Sequence, residues 1–171
     1  DGDKVYICRA RGVFRHDGLT PLPGDIVTVI PDDTENANEG VIDSVDERRN
    51  SLIRPALANL THLFEVLPAA RPAPNLITAD KLICTAEDKG IEPVIIITKT
   101  DIDPDSAERI AKIYKTGGFT VFCVSADGTM DAPLVEYIKK AAADRMVAAF
   151  AGASGAGKST LMTRLFPTLS L

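Results

Sequence analysis

The chain has 171 residues, enough for one large domain or two small ones, and its 45% hydrophobic and 25% charged content is that of a folded globular protein. A net charge of −5 argues against general affinity for polyanions, no apolar run approaches the roughly 18 residues of a membrane-crossing helix, and the polar start is no signal peptide. Cys8, Cys84 and Cys123 are odd in number and lack C-x-x-C spacing, which implies buried thiols in a reducing, cytoplasmic compartment rather than a disulfide framework or zinc knuckle. His16 and His62 stand alone and read as surface or packing residues.

Residues 1–56 read as a small all-β, OB-like barrel. Val5–Arg9, Ile26–Ile30 and Val41–Val45 are short runs rich in β-branched residues, separated by turn signals at His16–Gly18, Pro21–Asp25 and Pro31–Asp33. A further strand, expected for such a barrel, is not evident. Residues 57–171 change period, with apolar runs alternating with helical stretches, the signature of a mainly parallel sheet covered by helices. Strands are expected at His62–Leu67, Pro93–Ile97, Phe119–Val124 and Met146–Ala151. Helices are expected from after Asn75 to Gly90, from Pro104 through Lys115, from Pro133 to about Ala143 with Asp131 as cap, and from Ser159 to Phe166. The fold class is therefore α/β behind a small all-β unit.

The stretch from Gly152 to Ser159 fits the phosphate-binding pattern G-x-x-x-x-G-K-[ST] at every fixed position and lies between an expected strand and helix. In such a loop Gly152, Gly155 and Gly157, with Ala153, Ser154 and Ala156 between them, turn backbone N–H groups toward phosphate at a helix N-terminus. Lys158 would reach the outer phosphates, and Ser159, followed by Thr160, would hold Mg²⁺. At the end of the 93–97 strand stands Thr98-Lys99-Thr100-Asp101, where open α/β sheets bind ligands. Asp101 there can accept from guanine N1–H and its 2-amino group, and adenine lacks both donors on that edge. Lys99 would lie along the base plane, and the backbone at Ser125 and Ala126, one strand later, would meet guanine O6. Each of the last two motifs is weak alone; three motifs at the ends of three strands point together to a guanine nucleotide.

The order of these motifs, base-reading first and phosphate loop last, is that of circularly permuted GTPases. With Arg11–Arg15, Pro21–Asp25, Arg54-Pro55-x-x-Ala58-Asn59 and Gly90-Ile91-x-Pro93-Val94, the chain resembles the ribosome small subunit-dependent GTPase A family over essentially its whole length. The resemblance implies an OB-fold domain, a circularly permuted P-loop GTPase domain, and GTP hydrolysis to GDP in late maturation of the 30S subunit, with 16S rRNA as partner. It also implies a cytoplasmic, monomeric protein and a C-terminal zinc domain not included in these residues. Thr98 stands where the family usually has Asn, replacing a bracing amide by a hydroxyl. No D-x-x-G occurs in the sequence, so the chain reads as binding-competent but catalytically incomplete. For RNA, Arg9, Arg11 and Arg15 cluster on the first strands with Phe14 placed to stack on bases, and Arg48-Arg49 forms a second group. An ATP-using P-loop enzyme and a non-catalytic nucleotide-gated RNA-binding module are the two other readings.

Overall fold

The computed structural model describes residues 4–12, 14, 19–32 and 38–167. It divides into two units, Asp1–Asn59 and Leu60–Leu171. The hairpin of strands β4 (Ser51–Leu52) and β5 (Leu57–Ala58) thus belongs to the first unit, three residues beyond the boundary expected at 56. The Ala58 amide donates to Pro23 O at 3.0 Å and Asn59 Nδ2 to Gly24 O at 3.0 Å, which holds the hairpin there.

The described strands of the first unit form a three-stranded sheet and a two-stranded hairpin, while Phe14 stands in a helical conformation between the first two strands. Strand β1 (Ile7–Ala10) pairs in parallel with β3 (Glu39–Val45), and β3 pairs antiparallel with β2 (Val27–Pro31) through a bulge between Thr28 and Val29. The turn Leu22-Pro23-Gly24-Asp25 closes with Asp25 N–H donating to Leu22 O at 3.1 Å, with Pro and Gly (φ +94°) in its two central positions. Only glycine fits the third position, because a Cβ would stand 2.1 Å from Ala58 O. The turns expected at His16–Gly18 and at Asp33 lie outside the described residues.

Asp25 is the polar anchor of this unit. Its Oδ2 accepts from the Leu22 amide at 2.7 Å, while Arg48 donates from Nε to Oδ1 at 2.7 Å and from Nη2 to Oδ2 at 2.8 Å. Arg48, read from the sequence as one of an RNA-binding pair, is instead committed to this fork. Cys8 is half-buried rather than buried.

The second unit holds a four-stranded parallel sheet in the order β8-β7-β6-β9, from β6 (His62–Pro68), β7 (Glu92–Thr98), β8 (Thr120–Cys123) and β9 (Ala148–Ala151). Period-two alternation along β6 and β7 sends Leu67, Ile95 and Ile97 to one face, and Phe64, Val66, Val94 and Ile96 to the other. Helices α1 (Leu76–Asp88) and α2 (Pro104–Thr116) cover the first face with Ile83, Ile110 and Tyr114. Helices α3 (Ala132–Ala143) and α4 (Lys158–Leu165) cover the second with Leu134, Ile138 and Leu161. Asn75 and Asp103 cap α1 and α2 by accepting from Thr78 N–H and Ser106 N–H. Asp131 stands before α3 but makes no capping bond, since its carboxylate is taken by Arg164. Cys84, expected to be buried, is exposed on α1, one position past the inward-facing Ile83, and Cys123 is half-buried.

The Asp25–Arg48 fork makes a pH-dependent contribution of fixed sign. The hydrogen bond from Arg48 holds the Asp25 carboxyl below its ordinary value of 3.8, so the stabilisation is complete above that value and is lost as the pH falls through the lowered one. Arg48→Ala should destabilise the first unit by about 2 kcal/mol at pH 7, because it strands a carboxylate whose side chain is 2% exposed. Urea denaturation should show the gap from wild type narrowing at pH 3; a gap as wide there as at pH 7 would assign the loss to something other than the ion pair.

Candidate nucleotide-binding site

Three segments lie at the C-terminal ends of three strands of the parallel sheet: residues 98–101 at the end of β7, 124–131 after β8 and, beyond the intervening β6, 152–158 after β9. In the last, Gly152, Gly155 and Gly157 take φ values of +132°, +75° and +98°, which side-chain-bearing residues rarely adopt. At Gly152 a Cβ would also lie 2.3 Å from Val66 O. The loop thus turns tightly against β6 and delivers Lys158 and Ser159 into the first turn of α4, at the positive end of the helix. Lys158 Nζ folds over the loop and donates to Gly152 O at 2.7 Å and Ala153 O at 2.8 Å.

The end of β7 is tied to this loop at two points. The Thr98 hydroxyl donates to Ala156 O at 2.6 Å in a buried position, so the threonine provides a brace of the kind that the usual asparagine amide would supply. Lys99 adopts a left-handed conformation, φ +59°, and its Nζ donates to Gly155 O at 2.9 Å and Arg71 O at 2.5 Å. That backbone geometry costs a non-glycine residue about 1 kcal/mol and directs the side chain across the loop instead of along the strand.

The third segment is organised around Asp127, which accepts from the Ser125 hydroxyl and from Thr129 N–H at 3.1 Å. These bonds, Ser125's first, hold the Asp127 carboxyl below its ordinary range. Thr100 donates its hydroxyl to Val124 O at 3.1 Å, and Asp101 Oδ1 accepts from Ala126 N–H at 3.2 Å. The Asp101 carboxylate and the Ala126 amide thus satisfy each other, and a base edge with an adjacent donor and acceptor, as guanine has in N1–H and O6, would take the place of that bond. Between the segments lies a cavity of about 200 Å³ lined by Thr98, Lys99, Ile102, Ser125, Ala126, Gly157, Thr160 and Arg164, among others.

The fold brings together all the residues expected from the three motifs. For a divalent cation, Ser159 offers a hard hydroxyl ligand at the head of α4, exposed beside the loop, and no group of three or more His, Cys, Asp or Glu suited to a metal occurs among the described residues. Ser159 is the side chain that would hold Mg²⁺ there, where the ion would supply positive charge beside a bound phosphate.

The expected RNA-binding residues are not gathered in the same way. Phe14 is 7% exposed, so its ring is packed rather than presented for stacking. Arg9 is open to solvent but within 3.8 Å of Glu39, Arg11 pairs with Asp43, and Arg15 lies outside the described residues.

Two residues of the site escaped the sequence reading. Arg164 approaches through a pairing 33 residues distant and leaves no local signature. Glu65 had one: a charged residue at the centre of the apolar run of β6.

A family model described as RsgA GTPase matches residues 45–171, and one described as RsgA N-terminal domain matches residues 1–42. The chain belongs to the RsgA GTPase family. The small ribosomal subunit biogenesis GTPase RsgA of Bacillus subtilis is 35% identical over 177 residues, which span 100% of this chain and 57% of that protein. RsgA 2 of Listeria innocua is 39% identical over 172 residues, 98% of this chain and 56% of its own. Among solved structures, YjeQ from Thermotoga maritima superposes with a TM-score of 0.74 at 29% identity, covering 96% of this chain and 58% of that one. YloQ, described as a circularly permuted GTPase, gives 0.72 at 34% identity, covering 98% and 57%. The chain thus spans rather more than half the length of these RsgA relatives, and its α/β architecture with a parallel sheet is theirs.

Glu65 lies beside the phosphate loop, in register with Ala151 of β9, and is 4% exposed with Oε2 lacking a hydrogen-bond partner. Burial raises its carboxyl from 4.5 to about 7, against the opposing pull of the Lys158 ammonium. With the folded value the higher one, the folded protein keeps a proton that the unfolded chain releases, so stability is full below about 4.5 and declines as the pH rises through 7. The whole interval corresponds to about 3 kcal/mol. Glu65→Leu should therefore be more stable than wild type at pH 8 by an amount of that order and lack this component of the pH dependence. Urea titrations of both proteins from pH 5 to 8 measure it, and parallel curves for the two would clear Glu65 of any role.

Proposed function

We propose that this chain forms the guanine-nucleotide-binding part of a GTPase that acts in maturation of the small ribosomal subunit. The reading is supported above all by one observation: the three motif segments are hydrogen-bonded to one another, Thr98 and Lys99 to the 152–158 loop and Ala126 to Asp101, beside a cavity that Thr98, Lys99, Ser125, Ala126 and Gly157 help to line. An ATP-using enzyme has no need of a carboxylate at the base edge, where adenine would leave it desolvated and unpaired at a cost of about 1–3 kcal/mol.

In this reading Asp101 accepts from N1–H and the 2-amino group, Ala126 N–H donates to O6, and Ser125, fixed by Asp127, supports the loop. Gly152 through Gly157 wrap the phosphates with their amides. Lys158 exchanges its bonds to Gly152 O and Ala153 O for phosphate oxygens and neutralises charge as the bond to the leaving phosphate oxygen breaks under in-line attack by water. Ser159 and Thr160 lie at the α4 N-terminus, where Ser159 holds Mg²⁺, which when bound offsets the negative charge shared by the outer phosphates. Work on a ribosomal subunit implies a cytoplasmic setting and contact with 16S rRNA, for which Arg9 and Arg49, both exposed on the first unit, are the side chains best placed.

Titration calorimetry with GDP, ADP and xanthosine diphosphate tests the assignment of Asp101. Wild type should bind GDP at least tenfold more tightly than ADP. Asp101→Asn should lose that preference and gain xanthosine diphosphate, whose 2-carbonyl accepts from the new amide where the guanine 2-amino group donated. Equal affinity of wild type for GDP and ADP would return the ATP-using alternative to first place.

A further inference from the structure

We infer that Arg164 is a positioning residue that locks the base-side loop, residues 125–131, to the phosphate-loop helix and so couples recognition of the base to recognition of the phosphates. The inference deepens the guanine-nucleotide reading and rests on it for the identity of the ligand. Arg164 lies in the last turn of α4, the helix whose first turn carries Lys158 and Ser159. Its guanidinium reaches out of that helix to two points of the loop. Nη1 donates to Ala126 O at 2.8 Å, Nη2 donates to Asp131 Oδ1 at 3.0 Å, and Nε lies 2.5 Å from Asp131 Oδ2. Both side chains are largely withdrawn from water, at 27% and 10% exposure, where a charge-assisted pair is screened less than on an open surface.

The consequence falls on Ala126. Its N–H donates to Asp101 at 3.2 Å, a bond that guanine O6 would replace, so the hold of Arg164 on its C=O is what keeps the residue in place when the base binds. Gly128 leaves the aliphatic stem room to pass: a Cβ there would stand 3.3 Å from Arg164 Cδ. Thr98 and Lys99 already tie the first base segment to the phosphate loop, and Thr100 ties it to the second. Arg164 closes the ring by joining the second base segment directly to α4. The planar fork matters as much as the charge, since it engages a carboxylate and a carbonyl at once. A lysine ammonium is a point donor that cannot reproduce both.

The test compares wild type, Arg164→Ala, Arg164→Lys and Asp131→Asn by calorimetry with GDP and with inorganic pyrophosphate, a probe that has phosphates but no base. Hydrogen–deuterium exchange of the ligand-free chains is measured alongside. Arg164→Ala should weaken GDP about tenfold and leave pyrophosphate unchanged, with Asp131→Asn giving a smaller loss and the double variant no more than Arg164→Ala alone. Amides of 125–131 should exchange faster while those of 152–158 hold. Arg164→Lys, which keeps the charge and the helix, should still lose most of the GDP effect. Unchanged GDP affinity, or an equal loss for GDP and pyrophosphate, would overturn the inference. Failure of the guanine reading itself would show separately, as wild type binding GDP no more tightly than ADP. The exchange measurement then decides alone: faster exchange confined to 125–131 upholds the lock, and unchanged exchange sinks it.

Discussion

The hydrogen bond from the Thr98 hydroxyl to the Ala156 carbonyl is the joint on which the site depends. It lies between a residue 6% exposed and one fully buried, at the point where the base-reading strand meets the phosphate loop. Unmade, it would leave a buried carbonyl unsatisfied at a cost of about 1–3 kcal/mol, so the loop is held where the hydroxyl is. The neighbouring Gly157 is required by its backbone: φ +98° strains any residue with a side chain, whereas a Cβ would meet Thr98 only at an ordinary contact distance of 3.7–3.8 Å. The threonine hydroxyl supplies the one donor that this geometry uses. Phosphate and base ends therefore remain parts of one rigid object.

Against that joint the buried Glu65 is a conflict of local rules. A central parallel strand calls for apolar residues on both faces, and every neighbour of Glu65 in β6 obeys. The carboxyl faces the side of the sheet where Tyr114 packs, whose hydroxyl donates to Asp80 at 2.9 Å, and it feels Lys158 across the strand boundary. Ionised, it would compete with phosphate for the Lys158 ammonium; neutral, it withdraws that competition. The environment that destabilises the charged form is thus also one in which an anionic ligand is better received.

Much of this was legible in the sequence because the signals were local. The unbroken β-branched run Val94–Ile97, the glycines at 152, 155 and 157, and the helix starts after Asn75 and Asp103 each follow from residues close in sequence. What was not legible depends on partners far along the chain. Asp131 carries the right side chain for a cap, yet Arg164, 33 residues away, offers a full positive charge and a hydrogen bond from Nη2 where a helix N-terminus offers one amide, and the ion pair prevails. Arg48 reads as a surface cation until Asp25 is seen to bury its carboxylate beneath it. Phe14 and Cys84 were misjudged for the opposite reason. Residue type suggested a stacking ring and a buried thiol, whereas position within the sheet unit and on the outer face of α1 decided burial.

The order of the motifs along the chain has no bearing on the site, because sheet neighbours, not sequence neighbours, bring them together. It does bear on which part is least anchored. β9 supplies the phosphate loop from the edge of the described sheet, has only four residues, and three are alanines of weak strand preference. Its register against β6 is secured by Phe150, which stacks on Phe64 with centroids 4.8 Å apart, and by Leu161 of α4 in the same apolar cluster. Its N-terminal end is tied through Val147 to Thr61 and His62, and its other end through the ligand-facing groups: Thr98 on Ala156 and Lys99 on Gly155, with Arg164 of α4 on the 125–131 loop. A nucleotide bridging these same groups would stabilise the weakest strand of the sheet in proportion to its affinity. Binding and completion of the fold are, for this segment, two descriptions of one set of contacts.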